Sequence, residues 1–177
     1  QRRGMVWGVL VIVLAVSISA SAALNLVLIL DASNSMNKPF GDQTRISAAK
    51  EALIALLPAT EAAQLTRLYV FGHRVDHNNE IASCQDIEEL YPSLPAGAGT
   101  DPAVAATIRA LQARGMTPIA DSLQRAAMDL AGVSGETIIV LLTDSFETCG
   151  GDPFAVAQQL AAMEPNVVLE IIGLDIP

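Results

Sequence analysis

The chain has 177 residues, of which 51% are hydrophobic and only 4% aromatic. This predicts a single globular domain whose core is built from Leu, Ile, Val and Ala. Acidic residues outnumber basic ones by 19 to 10. An acidic surface repels phosphate backbones and anionic lipid headgroups, so the composition argues against nucleic acid or a membrane surface as a partner.

The N-terminal segment, residues 1–23, differs from the rest. Arg2 and Arg3 precede an uncharged apolar run that closes with Ala20-Ser21-Ala22. A basic start, an apolar middle and a small-residue end are typical of a secretory signal peptide. An uncleaved membrane anchor is the alternative, because residues 5–30 are long enough to span a bilayer. Export is favoured, since the last third of that run is needed as a strand. We therefore expect a periplasmic, envelope or extracellular protein, attached to a membrane only through this segment if it is retained.

The rest of the chain, residues 24–177, alternates between strand and helix patterns. Apolar runs predict buried strands, and apolar residues three to four positions apart predict helices. In chain order, the predicted elements are a strand at 24–30, a helix at 44–57, a strand at 66–71, an edge strand or hairpin arm within 80–91, a helix from Asp101-Pro102, a helix after Thr117-Pro118, a strand at 137–142, a helix from Asp152-Pro153 and a strand at 166–173.

The helical spacing also predicts which side chains share one side of each helix. The four sets are Ile46, Ala49, Leu53 and Leu56; Val104, Ile108 and Leu111; Ile119, Leu123, Ala126 and Leu130; and Phe154, Ala157 and Leu160.

This alternation predicts an α/β fold with a doubly wound, mostly parallel sheet and helices on both faces. In such sheets, ligands bind beyond the carboxyl ends of the strands. Asp31 directly follows the first strand, and Asp144 follows the strand at 137–142 after one intervening residue. Both carboxylates should therefore lie at the same edge of the sheet.

Oxygen donors are concentrated where the first strand ends. Asp31, Ser33 and Ser35 occupy alternate positions, and such small oxygen ligands suit a hard divalent cation better than nucleophilic catalysis without a base. Each residue has an ordinary explanation by itself, since the serines could cap a turn and Thr117 could cap the helix begun by Pro118. Their joint occurrence favours a metal site.

With Asp31-x-Ser33-x-Ser35, Thr117-Pro118 and Asp144 in this order, the chain from Leu24 onward resembles the von Willebrand factor type A family and its metal-ion-dependent adhesion site. The resemblance implies a Rossmann-like fold and a non-enzymatic module. Ser33 and Ser35 would bind Mg²⁺, or Mn²⁺ in its place, through their hydroxyls. Thr117 would bind in the ligand-competent state, and Asp31 and Asp144 directly or through water. An acidic residue of a protein partner would complete the coordination shell.

Further motifs resemble a bacterial exported branch of this family, and a few positions depart from its pattern. Asn34 and Ser145 stand where many members have Gly, so left-handed backbone is expected to suit Asn34 better than Ser145. Phe154 stands where this branch of the family often has a Cys, directly after the Asp-Pro pair. The chain stops at Pro177, before the last helix expected of the family, so the domain at 24–177 is expected to be truncated. The matching motifs are Phe71-Gly72-His73-Arg74, Cys84-Gln85-Asp86-Ile87-Glu88 and Glu147-Thr148-Cys149-Gly150-Gly151-Asp152-Pro153.

Two other functions compete with a metal-dependent binding module. A strand-end Asp is also the nucleophile of haloacid-dehalogenase-like phosphatases. That family expects a second Asp two residues later, where this chain has Ser33, and no Gly-x-x-x-x-Gly-Lys phosphate loop is found. The other hypothesis is a structural envelope protein that keeps the fold with an idle site.

Two residue pairs complete the candidate chemistry. Cys84 and Cys149 form either one disulfide, as an oxidising compartment allows, or two free thiols. His73 and His77 have a spacing that occurs in zinc sites, but no Cys or His cluster accompanies them, so zinc is not favoured.

Overall fold

The structure is a computed structural model that describes residues 23–95, 97–162 and 167–175. The predicted signal peptide or anchor lies outside these residues, apart from Ala23. Across the described ranges, no helix combines the length and the apolar character needed to cross a bilayer.

Strands and helices alternate along the chain as predicted. The strands are β1 (Leu24–Asp31), β2 (Pro39–Phe40), β3 (Gln43–Thr44), β4 (Leu65–Phe71), β5 (Ile87–Tyr91), β6 (Glu136–Thr143) and β7 (Val167–Gly173). The helices are α1 (Arg45–Leu56), α2 (Glu80–Cys84), α3 (Pro102–Ala110), α4 (Ile119–Asp129) and α5 (Pro153–Ala161), with short 3-10 turns at Asn34–Asn37 and Leu57–Ala62.

Five strands form the central sheet in the order β5-β4-β1-β6-β7. β1 pairs in parallel with both β4 and β6, β6 pairs in parallel with β7, and β5 runs antiparallel to β4 at one edge. The chain moves from β1 to one side for β4 and β5, and later to the other side for β6 and β7. The winding therefore reverses at β1, and the predicted doubly wound, mostly parallel fold is confirmed.

Side chains that alternate along the strands build a separate core on each face of the sheet. The first core joins strand residues to α1 and α3, and the second joins the intervening strand residues to α4 and α5. Buried members of the first include Leu28, Leu30, Leu68, Val70, Leu53 and Ile108. Those of the second include Val27, Ile29, Tyr69, Phe71, Leu123 and Leu160.

The predicted helix starts are confirmed by their caps. Thr44 caps α1, Asp101 accepts a hydrogen bond from Ala103 N at 2.8 Å, and Asp152 accepts one from Ala155 N at 3.0 Å. Each cap satisfies a backbone N–H that the first helical turn leaves without a partner.

Three expectations need correction. Residues 80–91 contain the predicted edge strand, β5, but also the short helix α2, which apolar periodicity did not reveal. Phe154 is 72% exposed, because α5 turns Val156 and Leu160 toward the sheet instead. Neither Asn34 nor Ser145 has a positive φ; among the described non-glycine residues only Asp175 does. The two positions that many members fill with Gly are therefore unstrained here.

The two cysteines form a disulfide. Cys84 ends α2 and Cys149 follows β6, and their Cα atoms are 5.5 Å apart. The bond ties two segments that are 65 residues apart in sequence.

Replacing both cysteines by serine should lower the free energy of unfolding by about 4 kcal/mol, because the bond restricts the unfolded chain over a long loop. Urea unfolding of both proteins measures the change, and wild type with a reductant is the matched control. Equal midpoints with and without the reductant would contradict the prediction.

Candidate functional site

The parallel pairing of β1 and β6 places two carboxylates side by side at the carboxyl edge of the sheet. Leu30 and Leu142 lie opposite each other in the ladder, so Asp31 and Asp144 follow at nearly the same height. Both residues are buried, with exposures of 0% and 1%. The prediction that the two carboxylates share one edge is confirmed.

The loop after β1 connects these carboxylates through the two serines. Ser33 N donates to Asp31 Oδ1 at 2.6 Å, and the hydroxyls of Ser33 and Ser35 are 3.0 Å apart. Ser35 Oγ donates to Asp144 Oδ1 at 2.6 Å. Four of the five predicted site residues therefore belong to one hydrogen-bonded chain.

Thr117 joins this group through Ser145. The hydroxyl of Ser145 is 3.3 Å from Thr117 Oγ1 and 3.4 Å from Ser35 Oγ. The N-cap residue of α4 is Pro118. The ordinary explanation for Thr117, that its hydroxyl caps this helix, is therefore wrong. Its backbone is fixed instead by Thr148, which accepts from Thr117 N at 2.8 Å and donates its own N–H to Thr117 O at 3.1 Å.

Two glycines allow the segment before Thr117 to approach the loop after β1. Gly72 has φ +71°, and a Cβ there would lie 2.9 Å from Met116 O. A Cβ on Gly115 would lie 2.6 Å from Gly72 Cα. Any larger residue at either position would push the two backbones apart. Close packing at this point lets Asn34 N donate to Gly115 O at 2.8 Å.

Sequence reasoning missed three residues that hydrogen-bond to the candidate ligands. Thr143 Oγ1 donates to Asp31 Oδ2 at 2.6 Å, Arg45 Nη1 donates to Asp144 Oδ2 at 2.6 Å, and Ser145 bridges Ser35 and Thr117. Thr143 and Ser145 flank Asp144, so their positions were a usable signal. Arg45 had no such signal, because it is 99 residues from its partner.

Burial dominates the electrostatics of Asp31. Loss of solvation raises its pKa from 3.8 to about 6, although the hydrogen bonds from Thr143 and Ser33 oppose the rise. The cost arises because a buried carboxylate without a full counter-charge is poorly solvated in the protein interior.

The donor set fits a hard divalent cation. Two carboxylates and three hydroxyls offer only oxygen ligands, which Mg²⁺ prefers. Nowhere in the described ranges, this site included, do three His, Cys, Asp or Glu side chains group in a way that could hold a metal, so the hydroxyls would have to supply the remaining ligands. His73 pairs with Glu88 at 2.8 Å, and His77 lies against Arg114 O at 3.2 Å. An open cavity of about 190 Å³ gives access to the cluster and is lined in part by Ser33, Ser35, Thr117 and Ser145.

Comparison with known proteins shows which family the chain belongs to. The profile of the von Willebrand factor type A domain matches residues 26–147, more than half of the chain. The chain belongs to the von Willebrand factor type A family. Members of this family are adhesion and protein-interaction modules, and they commonly bind divalent metals.

Relatives and solved structures extend the likeness. The Bacillus subtilis protein YwmC, itself uncharacterized, is 29% identical over 155 residues that cover 85% of this chain and 66% of YwmC. The chain thus spans about two thirds of that relative. An aerotolerance-related membrane protein of Bacteroides fragilis superposes with a TM-score of 0.64 at 19% identity, covering 86% of this chain and 68% of that one. Manganese-loaded TRAP of Plasmodium vivax superposes with a TM-score of 0.61 at 19% identity, covering 86% and 57%. At these identities the two structures establish the shared fold.

Asp31→Asn should flatten the pH dependence of stability in the presence of a chelator. Because the pKa of Asp31 is about 6 when folded and near 3.8 when unfolded, the folded chain binds this proton more tightly. The stabilisation is therefore full below pH 4 and is lost as the pH rises through 6. A difference of this size corresponds to about 3 kcal/mol.

Urea unfolding of wild type and Asp31→Asn in EDTA, between pH 4 and pH 7, measures this contribution. The wild type should lose about 3 kcal/mol relative to the variant across that range. Parallel pH profiles of the two proteins would contradict the prediction.

Proposed function

We propose that this domain is a non-enzymatic binding module that grips an acidic residue of a protein partner through a divalent cation. The observation that carries the proposal is the hydrogen-bonded chain from Ser33 through Ser35 to Asp144, beside the buried Asp31. Hydroxyls and carboxylates that converge in this way form a set of oxygen ligands, which a hard divalent cation prefers.

The residues that would hold the cation are Asp31, Ser33, Ser35, Thr117 and Asp144. A bound Mg²⁺ or Mn²⁺ would supply a Lewis-acidic positive charge able to accept a carboxylate oxygen of a partner. The hydroxyls of Ser33, Ser35 and Thr117 carry no charge, so the protein contributes at most two negative ligands. This favours an additional anionic ligand from outside.

The contacts around these side chains suggest different roles for the carboxylates and the hydroxyls. Asp31 is bonded on one oxygen by Ser33 N and on the other by Thr143 Oγ1, so its carboxylate orients the loop that carries the serines. Ser33, Ser35 and Thr117 line the open cavity. The hydroxyls therefore face the side from which a partner approaches, and the carboxylates lie behind them.

A phosphatase is the weaker proposal. The residue two positions after Asp31 is Ser33, whose hydroxyl lies 3.0 Å from that of Ser35. A serine hydroxyl is a poor general acid compared with the carboxylic acid that the phosphatase mechanism requires at this position.

We also propose that the protein is exported. The disulfide between Cys84 and Cys149 is typical of an oxidising compartment, and the basic and apolar start of the chain has the pattern of a signal peptide or anchor. The periplasm, the cell envelope and the extracellular space all meet this requirement.

The domain should bind one Mg²⁺ or Mn²⁺, and Asp31→Ala should abolish binding because the loop that carries Ser33 loses its anchor. At a hundredfold excess over the dissociation constant, the cation should stabilise the wild type by about 2.7 kcal/mol. Calorimetry and thermal unfolding with Mg²⁺ or EDTA measure both effects. Glu136→Ala, at the opposite end of β6, is the matched control and should bind normally. Unchanged affinity in Asp31→Ala would contradict the proposed site.

Thr117→Ala should weaken partner binding while leaving the folding stability within about 1 kcal/mol of wild type, because among the described residues its hydroxyl hydrogen-bonds only to that of Ser145. The probe is an array of peptides that each carry one Glu, matched to the same peptides with Gln. Wild type and Thr117→Ser should retain Glu peptides in Mg²⁺ and release them in EDTA.

Two outcomes of the array would count against a metal-bridged carboxylate. One is equal retention of Glu and Gln peptides, and the other is retention that persists in EDTA. A lower melting temperature in Thr117→Ala with unchanged retention would instead assign Thr117 a purely structural role.

A further inference from the structure

A buried arginine is bonded directly to one of the candidate metal ligands. Arg45 is 8% exposed, and its Nη1 donates to Asp144 Oδ2 at 2.6 Å. Its Nη2 donates to Asp175, whose side chain is 63% exposed. The Nε atom is buried and has no hydrogen-bond partner among the described residues. The guanidinium thus depends on two carboxylates, of which only Asp144 is buried.

The position of Arg45 in its helix shows that these contacts dominate its placement. Arg45 is the first residue of α1, directly after the cap Thr44. A positive charge at a helix N-terminus is unfavourable, because the exposed N–H groups there already carry partial positive charge. The interaction with Asp144 must therefore outweigh a local electrostatic penalty.

The two carboxylate oxygens of Asp144 have different hydrogen-bond partners. Oδ2 faces Arg45 at 2.6 Å, and Oδ1 accepts from Ser35 Oγ at 2.6 Å. Only one oxygen is therefore turned toward the hydroxyl cluster. The negative charge of Asp144 is also partly balanced before any cation arrives.

A divalent cation at this cluster would meet an opposing positive charge. Like charges repel strongly when little water separates them, because the effective dielectric constant is low. Arg45 and the cation would both be attracted to Asp144, so each weakens the hold of the other on that carboxylate.

We infer that Arg45 is the internal counter-ion of the candidate metal site: it positions Asp144 in the metal-free protein and limits the affinity of the site for a divalent cation. The inference rests on the proposed function. Arg45 would also strengthen partner binding, because a site with one more positive charge attracts a partner carboxylate more strongly. Weak metal binding and strong demand for an external acidic ligand then have a common cause.

Arg45→Gln tests this directly, because glutamine keeps a hydrogen-bond donor but removes the charge. The variant should bind Mn²⁺ about tenfold or more tightly than wild type, and its thermal stabilisation by Mn²⁺ should increase. In EDTA it should melt at a lower temperature, because Asp144 loses its counter-charge. At saturating Mn²⁺ it should retain Glu peptides less well than wild type.

Two further variants provide controls. Arg109→Gln removes the same charge from the exposed ion pair with Glu51 and should leave Mn²⁺ affinity within about twofold of wild type. Asp175→Asn removes the outer partner of Arg45 but keeps the bond to Asp144, so its Mn²⁺ affinity should also change by less than about threefold.

The outcomes separate this inference from the proposed function. If wild type and Arg45→Gln bind Mn²⁺ equally, or the variant binds more weakly, the inference is overturned while the proposed function stands. If neither protein binds Mn²⁺, both are overturned. Binding by the variant alone would support the inference and overturn the proposed function, because Arg45 would then block the site in wild type.

Folding of the variant is informative as well. If Arg45→Gln is unfolded in EDTA and folds when Mn²⁺ is added, the cation replaces the missing counter-charge, as inferred. If it stays unfolded in both conditions, Arg45 serves folding alone and the inference is overturned.

Discussion

The parallel pairing of β1 with β6 is the constraint on which the candidate site depends. These strands are neighbours in space although more than a hundred residues separate them in sequence. Because both run in the same direction, their carboxyl ends meet at one edge, and the residues that follow them converge there. The two faces of the sheet are packed by separate cores, so side chains support this edge from both sides.

The two buried carboxylates at this edge differ in how their negative charge is compensated. Two carboxylates, Asp31 and Asp144, are buried within a hydrogen-bonded network, and their surroundings treat them differently. Asp31 accepts hydrogen bonds from a hydroxyl and a backbone N–H, pairs with no cationic side chain among the described residues, and has its pKa raised to about 6 by burial. Asp144 receives the guanidinium of Arg45. The charged form of Asp31 is therefore poorly compensated, whereas that of Asp144 is paired with a buried guanidinium.

The third element of the site, Thr117, is placed by contacts outside the sheet. The disulfide joins Cys84 to Cys149, and these residues directly follow Ser83 and Thr148 in the sequence. Ser83 Oγ accepts from Met116 N at 2.7 Å, and Thr148 bonds both backbone groups of Thr117. The covalent bond thus secures the two residues that hold the segment before α4. A crosslink that contributes no ligand thus joins the two segments that hold the backbone next to a candidate ligand.

The sequence by itself determined the succession of strands and helices, the helix caps at Asp101 and Asp152, and the convergence of Asp31 with Asp144. These features are local, or they follow from the direction of parallel strands, and so periodicity and strand ends reveal them. Only the tertiary structure decided the helix α2, the disulfide, the bridge through Ser145 and the contact between Arg45 and Asp144. The helix α2 has only five residues, too few to show helical periodicity. The other three features depend on distances between segments far apart in the chain, and such distances leave no periodic signal in the order of residues.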